Sequence, residues 1–426
     1  MILNEAKKYI TSGALDEKLS ELYGEKKILS ARARYVGAIN EFEKLYGADR
    51  DIKIFSVPGR SELSGNHTDH NGGKVIAASV DLDIVAVASE CKGSVVRFKS
   101  EGYPEDCVDF DVYSFPNAEY YGKSEAIIAG VLAGMNVNGY KVGGFDAYST
   151  SNVFSGSGLS SSAAFENAVG TIINHLYNDG TIDGVTIARI SQYAENEFFG
   201  KPCGLMDQIA CSVGGAVTID FADSKAPVVE RLDTDVFDGY TLCIVNTGGS
   251  HADLTGDYAA VPAEMKSVAA HFGKKTLREI NRDDVVAAIG ALRGEVGDRA
   301  IMRALHFFDE NKRVEAQVDA IRKNDVDAFL RGVLSSGRSS FCYLQNVFAP
   351  KNPSEQGVSL ALCVAESYLK NKKAAWRVHG GGFAGTIQAF VPTPHADGFA
   401  SAIDAVFGAG ACHKLNIRSA GADRIL

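Results

Sequence analysis

Phe145-Asp146-Ala147-Tyr148-Ser149-Thr150, followed by Ser155-Gly156-Ser157-Gly158-Leu159-Ser160-Ser161-Ser162-Ala163-Ala164, reads as a strand feeding a glycine- and serine-rich loop that opens into a helix rich in Ala, Val and Ile. Glycines let backbone N–H groups approach a phosphate, and the N-terminus of the following helix adds the positive end of its dipole. Three serines add hydroxyls for phosphate oxygens or a metal. The lysine of a GxxxxGK[ST] loop is missing, so this is a phosphate cradle of another kind. Taken alone, the loop reads equally well as a turn that caps a helix.

Outward from this loop, strands and helices mix without a regular βαβ alternation, which predicts an α+β fold. On the N-terminal side, residues 1 to about 45 have a helical pattern, with Leu19, Leu22 and Leu29 among charges. A strand is expected at Ile52–Val57, running into Pro58-Gly59, and a hairpin-forming pair at Val75–Val80 and Ile84–Ala88. Gly122–Met135 reads as an amphipathic helix. On the C-terminal side a helix is expected over Ile187–Phe199, strands at Ala216–Phe221 and Tyr240–Asn246, and helices at Val314–Leu334 and Gly357–Tyr368. A glycine run, Gly380 to Gly385, then leads into a strand, Thr386–Val391.

At 426 residues the chain exceeds the ~250–300 at which single cores stop growing, so two domains are expected. The division is placed as a helical extension (1–40), an N-terminal domain (41–225) and a C-terminal domain (226–426). Hydrophobic residues make up 46% and charged ones 23%, a globular balance. With 43 basic against 53 acidic residues the net charge is -10, so the basic footprint of a nucleic-acid binder is missing. No signal-peptide core or bilayer-length apolar run is present. Eight cysteines are scattered without a CxxC pair, which argues against zinc and predicts reduced, mostly packed thiols in a cytoplasmic protein.

Two further segments carry chemistry. Pro58-Gly59-Arg60-Ser61-Glu62-Leu63-Ser64-Gly65-Asn66-His67-Thr68-Asp69-His70-Asn71-Gly72-Gly73 is dense in groups able to hold a polyol. A carboxylate such as Asp69 can accept two hydroxyl hydrogen bonds. It reads otherwise as a solvated loop with an Asn-Gly-Gly hairpin, and His67 and His70 alone are a weak metal signal. In Cys203-Gly204-Leu205-Met206-Asp207-Gln208, Asp207 follows a Pro-Cys-Gly turn; beside an arginine it suits a proton acceptor, and otherwise it is a helix N-cap. Glu195, on the preceding helix, is either a metal ligand or a solvent-facing carboxylate.

In this order, the segments resemble the galactokinase branch of the GHMP kinases. Pro58–Gly73 is similar to its sugar signature, Gly158–Ala164 to its ATP-phosphate loop, Cys203–Gln208 to the run with its catalytic aspartate, and His379–Gly385 to its third motif. Asn246, Thr247, His251 and Tyr258 fall at spacings similar to its sugar-contacting stretch. The resemblance implies a two-domain fold, with a ribosomal-protein-S5-like N-terminal domain, a ferredoxin-like C-terminal domain and the site between them. It implies ATP and Mg2+, and transfer of a phosphoryl group to the anomeric hydroxyl of a sugar, D-galactose first among them. Asp207 would then be the base, Arg60 its partner, and Ser162 and Glu195 the metal ligands. Gly156, Gly158, Ser160, Ser161 and Ser162 would cradle phosphates, and Asn66, His67, Asp69 and Tyr258 would hold the sugar.

The chain departs from that pattern in several places. Asn66 stands where the branch has glutamate, and Ser61, Glu62 and Ser64 replace Val, Asn and Ile. Ala259 to Pro262 replace paired arginines, His379 a small hydroxyl residue and Ala384 a glycine. The match over Ser335–Glu355 is loose. An altered pocket implies an amino sugar, pentose or uronic acid as the alternative substrate, and a non-catalytic sugar sensor is the alternative of another class.

Overall fold

A computed structural model describes residues 1–153, 158–249, 254–383 and 385–426. Three helices open the chain: α1 (Leu3–Thr11), α2 (Asp16–Tyr23) and α3 (Ile28–Tyr46). There follow β1 (Lys53–Ser64), β2 (Lys74–Glu90), β3 (Val95–Ser100), β4 (Glu105–Asp109), α4 (Ser124–Val137), β5 (Phe145–Ser151), α5 (Ser161–Tyr177) and α6 (Gly184–Tyr193). A π-turn (Ala194–Phe198), α7 (Met206–Val213), β6 (Ala216–Asp220) and β7 (Val228–Leu232) complete the first half. The second half holds β8 (Tyr240–Asn246), α8 (Thr255–His271), α9 (Arg282–Ala287), α10 (Ile289–Glu295), α11 (Asp298–Arg322), α12 (Val326–Ser339), a second π-turn (Ser340–Leu344) and α13 (Gly357–Leu369). It ends with β9 (Ala375–Val378), β10 (Thr386–Pro392), α14 (Thr393–Phe407), β11 (Cys412–Leu415) and β12 (Asp423–Arg424).

Two sheets organise these elements into the expected α+β architecture. The first runs β12-β1-β2-β5-β3-β4, with β6 and β7 continuing from β2. The second, β11-β8-β10-β9, is antiparallel. Residues 1–46 cover one face of the first sheet: Leu3, Ile10, Leu19, Leu22, Ile39 and Phe42, at helical spacing, bury against Ile54, Val85, Val87 and Tyr148. On the other face α4, α5 and α6 pack over Phe55, Phe98, Phe145 and Ala147. A third core, with Val314, Val318, Phe329 and Phe390, joins the sheets through α11 and α12.

Several elements differ from their reading in the sequence. The two strands expected at 75–80 and 84–88 are one strand, β2, whose first half pairs with β6 and second half with β5. β1 does not stop at Pro58-Gly59; a register shift there lets it continue to Ser64. Gly59 is required at that point, because a Cβ would stand 2.8 Å from the Leu159 carbonyl oxygen. α4 is not amphipathic: Ala126 to Met135 are all buried, since the helix is enclosed on every side. The helix expected over 314–334 is two helices, broken where Asn324 takes φ 53°. The helix over 187–199 ends in the π-turn that carries Glu195. The 225/226 division falls in the turn between β6 and β7, so Val228–Leu232 still belongs to the first sheet.

All eight cysteines are free, but Cys107, Cys342 and Cys363 are exposed rather than packed. Among the described residues no helix is long and apolar enough to cross a membrane.

Candidate active site

The register shift in β1 places Arg60 opposite the first turn of α7, where Asp207 sits. The guanidinium grips the carboxylate with both arms, Nε to Oδ1 at 2.8 Å and Nη2 to Oδ2 at 2.7 Å. Ser160 Oγ also donates to Oδ2. Burial alone would raise the Asp207 pKa, but the Arg60 charge and these hydrogen bonds hold it below the ordinary carboxylate range. Asp207 is therefore ionised at neutral pH and a third of its side chain is open to the cleft. It does not act as an N-cap, a position Leu205 takes.

Arg60 is only 6% exposed. Its Nη1 donates to the Gly158 carbonyl and its N–H to that of Leu159, at 3.1 Å, so the same residue ties the serine loop to α7. Ser160, expected in the phosphate cradle, adopts φ 57° and turns its hydroxyl to Asp207. It thus caps no N–H of α5 with its side chain, leaving the start of that 17-residue helix as a site for an anion. Gly156 lies outside the described residues. Gly158, at φ 71°, packs against His379.

Ser161 and Ser162 line a cavity of about 810 Å³, bordered also by Lys123, Ser124, Phe165, Glu166 and Glu195. This is the size of a pocket for a nucleotide-scale ligand. Glu195 is buried and does not face solvent. Lys201 Nζ meets its Oε1 at 2.9 Å and Gln208 Nε2 its Oε2 at 3.0 Å. Gln208 Nε2 also reaches Glu166 Oε2 at 3.0 Å. Burial, then the charge of Glu195, pushes the Glu166 carboxyl well up, and its Oε1 is buried without a hydrogen-bond partner. The Glu195 carboxylate, the Glu166 carboxyl and the Ser162 hydroxyl at one wall of the cavity are hard oxygen donors of the kind that fit Mg2+. Among the described residues no three His, Cys, Asp or Glu side chains are grouped so as to hold a metal ion.

Across the cleft lie the residues read as sugar-binding. Asp69 approaches Gly204 so closely that a Cβ there would run into its carboxylate, which brings Asp69 beside the turn leading to Asp207. His67 Nε2 donates to the Gly381 carbonyl at 2.9 Å; burial lowers its pKa, so the ring is neutral. Tyr258 donates its hydroxyl to the Gly382 carbonyl at 3.0 Å and meets Phe383 edge-on. Asn246 and Thr247 bond to nearby backbone, to Gly248 N and Gly385 O. His251 and Ala384 lie outside the described residues.

Asn66 requires a correction. It is fully buried, and both ends of its amide are used inside the protein. Nδ2 donates to Gly380 O at 2.6 Å and to Glu62 Oε1 at 3.2 Å; Oδ1 accepts from Asn346 Nδ2 at 2.8 Å and Ser340 Oγ at 3.3 Å. An amide has two N–H donors and two acceptor positions, so none is left for a sugar. The altered positions Ser61, Glu62, Ser64 and His379 turn inward as well. Ser61 Oγ meets His379 Nε2 at 3.0 Å, Glu62 pairs with buried Arg377 at 2.7 Å, and Ser64 Oγ donates to Gln317 at 2.5 Å. Together with Asn66 these positions form one buried polar layer joining β1 to the second half of the chain.

Several residues of the site were not singled out in the sequence: Glu166, Lys201, Gln208, Asn346 and Arg377. Gln208 adjoins Asp207 in the same run and could have been found there. Asn346 lies where the resemblance is loose, and nothing local marks it.

Known proteins share the sequence and fold of this chain. The GHMP kinases N terminal domain matches residues 126–215, and the galactokinase galactose-binding signature matches residues 40–90. A galactokinase of Streptomyces coelicolor is 31% identical over 401 residues, covering 92% of this chain and 98% of that protein. A human galactokinase is 30% identical over 368 residues, covering 83% and 88%. The crystal structure of Lactococcus lactis galactokinase complexed with galactose superposes with a TM-score of 0.76 at 23% identity, covering 90% of this chain and 98% of that one. With sequence likeness at this level over nearly the full length of both partners, the chain belongs to the galactokinase family of GHMP kinases.

Proposed function

We propose that the protein transfers the γ-phosphoryl group of ATP to the anomeric hydroxyl of D-galactose, giving galactose 1-phosphate and ADP. The observation that carries this reading is the ionised Asp207, gripped by Arg60 and open to a cleft with an uncapped helix N-terminus on one side and Asp69 on the other. Phosphoryl transfer requires chiefly positioning and charge stabilisation around an in-line hydroxyl. Asp207 orients the sugar hydroxyl and accepts its proton as the oxygen attacks phosphorus; the bond to the β-phosphate oxygen breaks and ADP leaves. Arg60 holds Asp207 ionised and lends positive charge to the site. The N–H groups at the start of α5, with Gly156, Gly158, Ser160 through its backbone, and the Ser161 and Ser162 hydroxyls, hold the phosphates. Ser162 and Glu195 would ligate Mg2+, which when bound offsets charge on the phosphates. His67, Asp69 and Tyr258 border the sugar. The unpaired surface thiols favour a reducing, cytoplasmic setting.

The ground for another substrate was a missing carboxylate at position 66, and that side chain faces the protein interior. The sensor reading is disfavoured by an intact Arg60–Asp207 pair. The test is a coupled ADP-release assay with ATP and magnesium over a panel of sugars, scored as kcat/KM. D-galactose is expected to lead. Another sugar in the lead would replace the substrate, and ATP binding without turnover of any sugar would favour a sensor.

A further inference from the structure

Three consecutive carbonyls of the glycine turn each accept a hydrogen bond from a residue near the sugar side of the cleft. Gly380 O accepts from Asn66 at 2.6 Å, Gly381 O from His67 at 2.9 Å, and Gly382 O from Tyr258 at 3.0 Å. Asn346 stands behind this row. Its Nδ2 donates to Asn66 Oδ1 at 2.8 Å and to Gly381 O at 3.2 Å, and its own carbonyl accepts the Phe383 N–H. The backbone of Asn66 is held from the same side, its N–H near Glu310 Oε1 at 3.4 Å and its carbonyl 3.0 Å from His306 Nε2. Glycine is needed in this row: a Cβ on Gly381 would press 2.5 Å from the Tyr258 ring, and one on Gly382 would strike the Asn346 carbonyl. Gly380, Gly382 and Asn346 are buried and Gly381 is half-buried, while the uncapped end of α5 and the 810 Å³ cavity belong to other elements.

We infer that Asn346 and the Gly380–Gly382 turn are the positioning element of the sugar pocket, a row of carbonyls that fixes His67 and Tyr258, and that this stretch of the third glycine motif serves sugar rather than nucleotide, whereas His379, just before it, packs on Gly158 of the serine loop. This rests on the galactose kinase reading. Asn66 belongs to the same element: it anchors the turn that carries His67 and Asp69 instead of touching the sugar.

The test compares wild type with Asn346→Ala and Asn346→Asp. The aspartate keeps the size of the side chain and loses its donor. Galactose affinity by calorimetry, and the KM values for galactose and ATP, are measured in parallel. Galactose binding is expected to weaken about tenfold, near the net worth of one hydrogen bond, with ATP moving less than about twofold. A general structural defect would weaken both ligands together. Equal losses for both ligands, a larger loss for ATP, or no change in either would overturn the inference. Should neither variant fold, hydrogen–deuterium exchange on the wild type decides. Galactose, and not ADP, should slow exchange across 380–383; protection by ADP as large as that by galactose, or by neither, would overturn it. A wild type that binds no galactose in calorimetry refutes the substrate reading itself, whereas galactose binding without the selective effect refutes this inference alone.

Discussion

The two sides of the cleft are held together by different means. The phosphoryl side is made within the first half of the chain, by a charged pair and a helix end: Arg60, Ser160 and Asp207 bond directly, and Asp207 stays open to the cleft. The sugar side spans both halves. His67 and Asn66 come from the turn after β1, but what fixes them comes from Gly380, Gly381, Asn346, His306 and Glu310. Charge sets the first site and a buried network of mostly neutral hydrogen bonds sets the second. Substitutions on the first side should therefore act on the rate, and substitutions on the second on stability and sugar binding.

The largest effect is expected from Asp207→Asn. It keeps the shape of the side chain and removes the proton acceptor, so kcat should fall on the order of 1,000-fold with little change in galactose KM. Wild-type-like turnover would break the comparison at its strongest point. The pH profile sharpens it. The folded-state pKa of Asp207 lies below its ordinary 3.8 despite burial, because Arg60 and Ser160 favour the charged form. Protonation of this group should impose no acid limb on kcat/KM down through the ordinary carboxylate range, and its contribution to stability is present above that range and lost as pH falls through the depressed value.

Next is Asn66→Glu. If position 66 faced the sugar, a carboxylate there would improve use of galactose. Facing Glu62, the Gly380 carbonyl and Asn346, it would be a buried anion beside another anion and a carbonyl oxygen. The expected outcome is a loss of about 3 kcal/mol in chemical denaturation, with weaker galactose binding. A stable variant with better galactose kcat/KM would show that the side chain turns outward.

The same contrast explains what the sequence could convey. The phosphoryl side was legible because its parts are contiguous runs with a chemical reason for their order: a glycine-serine loop before a helix, and an aspartate after a tight turn. Even the pairing of Arg60 with Asp207, 147 residues apart, came through resemblance. The direction of Asn66 was not legible, because it depends on Asn346, 280 residues away in a stretch with no local signal. Similar limits apply to the fold. The run Ala126–Met135 is apolar on every side, which is the mark of an enclosed helix; reading it with the polar residues of Gly122–Glu125 makes it look amphipathic, and its neighbours, Ala194 against Gly130 and Ile190 against Gly134, show the enclosure. The break at Asn324 is one left-handed residue, which periodicity across 314–334 does not register.

A smaller, pH-linked effect is expected at Glu310, under the sugar side. Burial would raise its pKa, but His306, Arg313 and Arg377 and a hydrogen bond from Ser336 bring it down to about 2, from 4.5. A depressed folded-state pKa means that the stabilisation is complete above 4.5 and is lost as pH falls toward 2. Glu310→Gln should be less stable at neutral pH and show a shallower decline between those values, read by denaturation midpoints across pH. An unchanged slope would mean that Glu310 does not couple the turn at Asn66 to α11.

The smallest effect concerns Lys201, on the phosphoryl side. Its ammonium contacts Glu195 Oε1 but its side chain is 61% exposed, so the ion pair is screened and worth less than about 1 kcal/mol to stability. Lys201→Met keeps most of the aliphatic stem and removes the charge. If Glu195 is a metal ligand, Lys201 and the cation compete for the same oxygen, and removing the lysine should tighten metal binding rather than weaken it. Titration with Mn2+ in the presence of ADP, followed by water proton relaxation, should give an apparent Kd lower by about threefold, the range of an exposed ion pair. Weaker binding would mean that Lys201 holds Glu195 or the phosphates in place for the metal, and the phosphoryl side would then depend, like the sugar side, on a supporting network rather than on the charges alone.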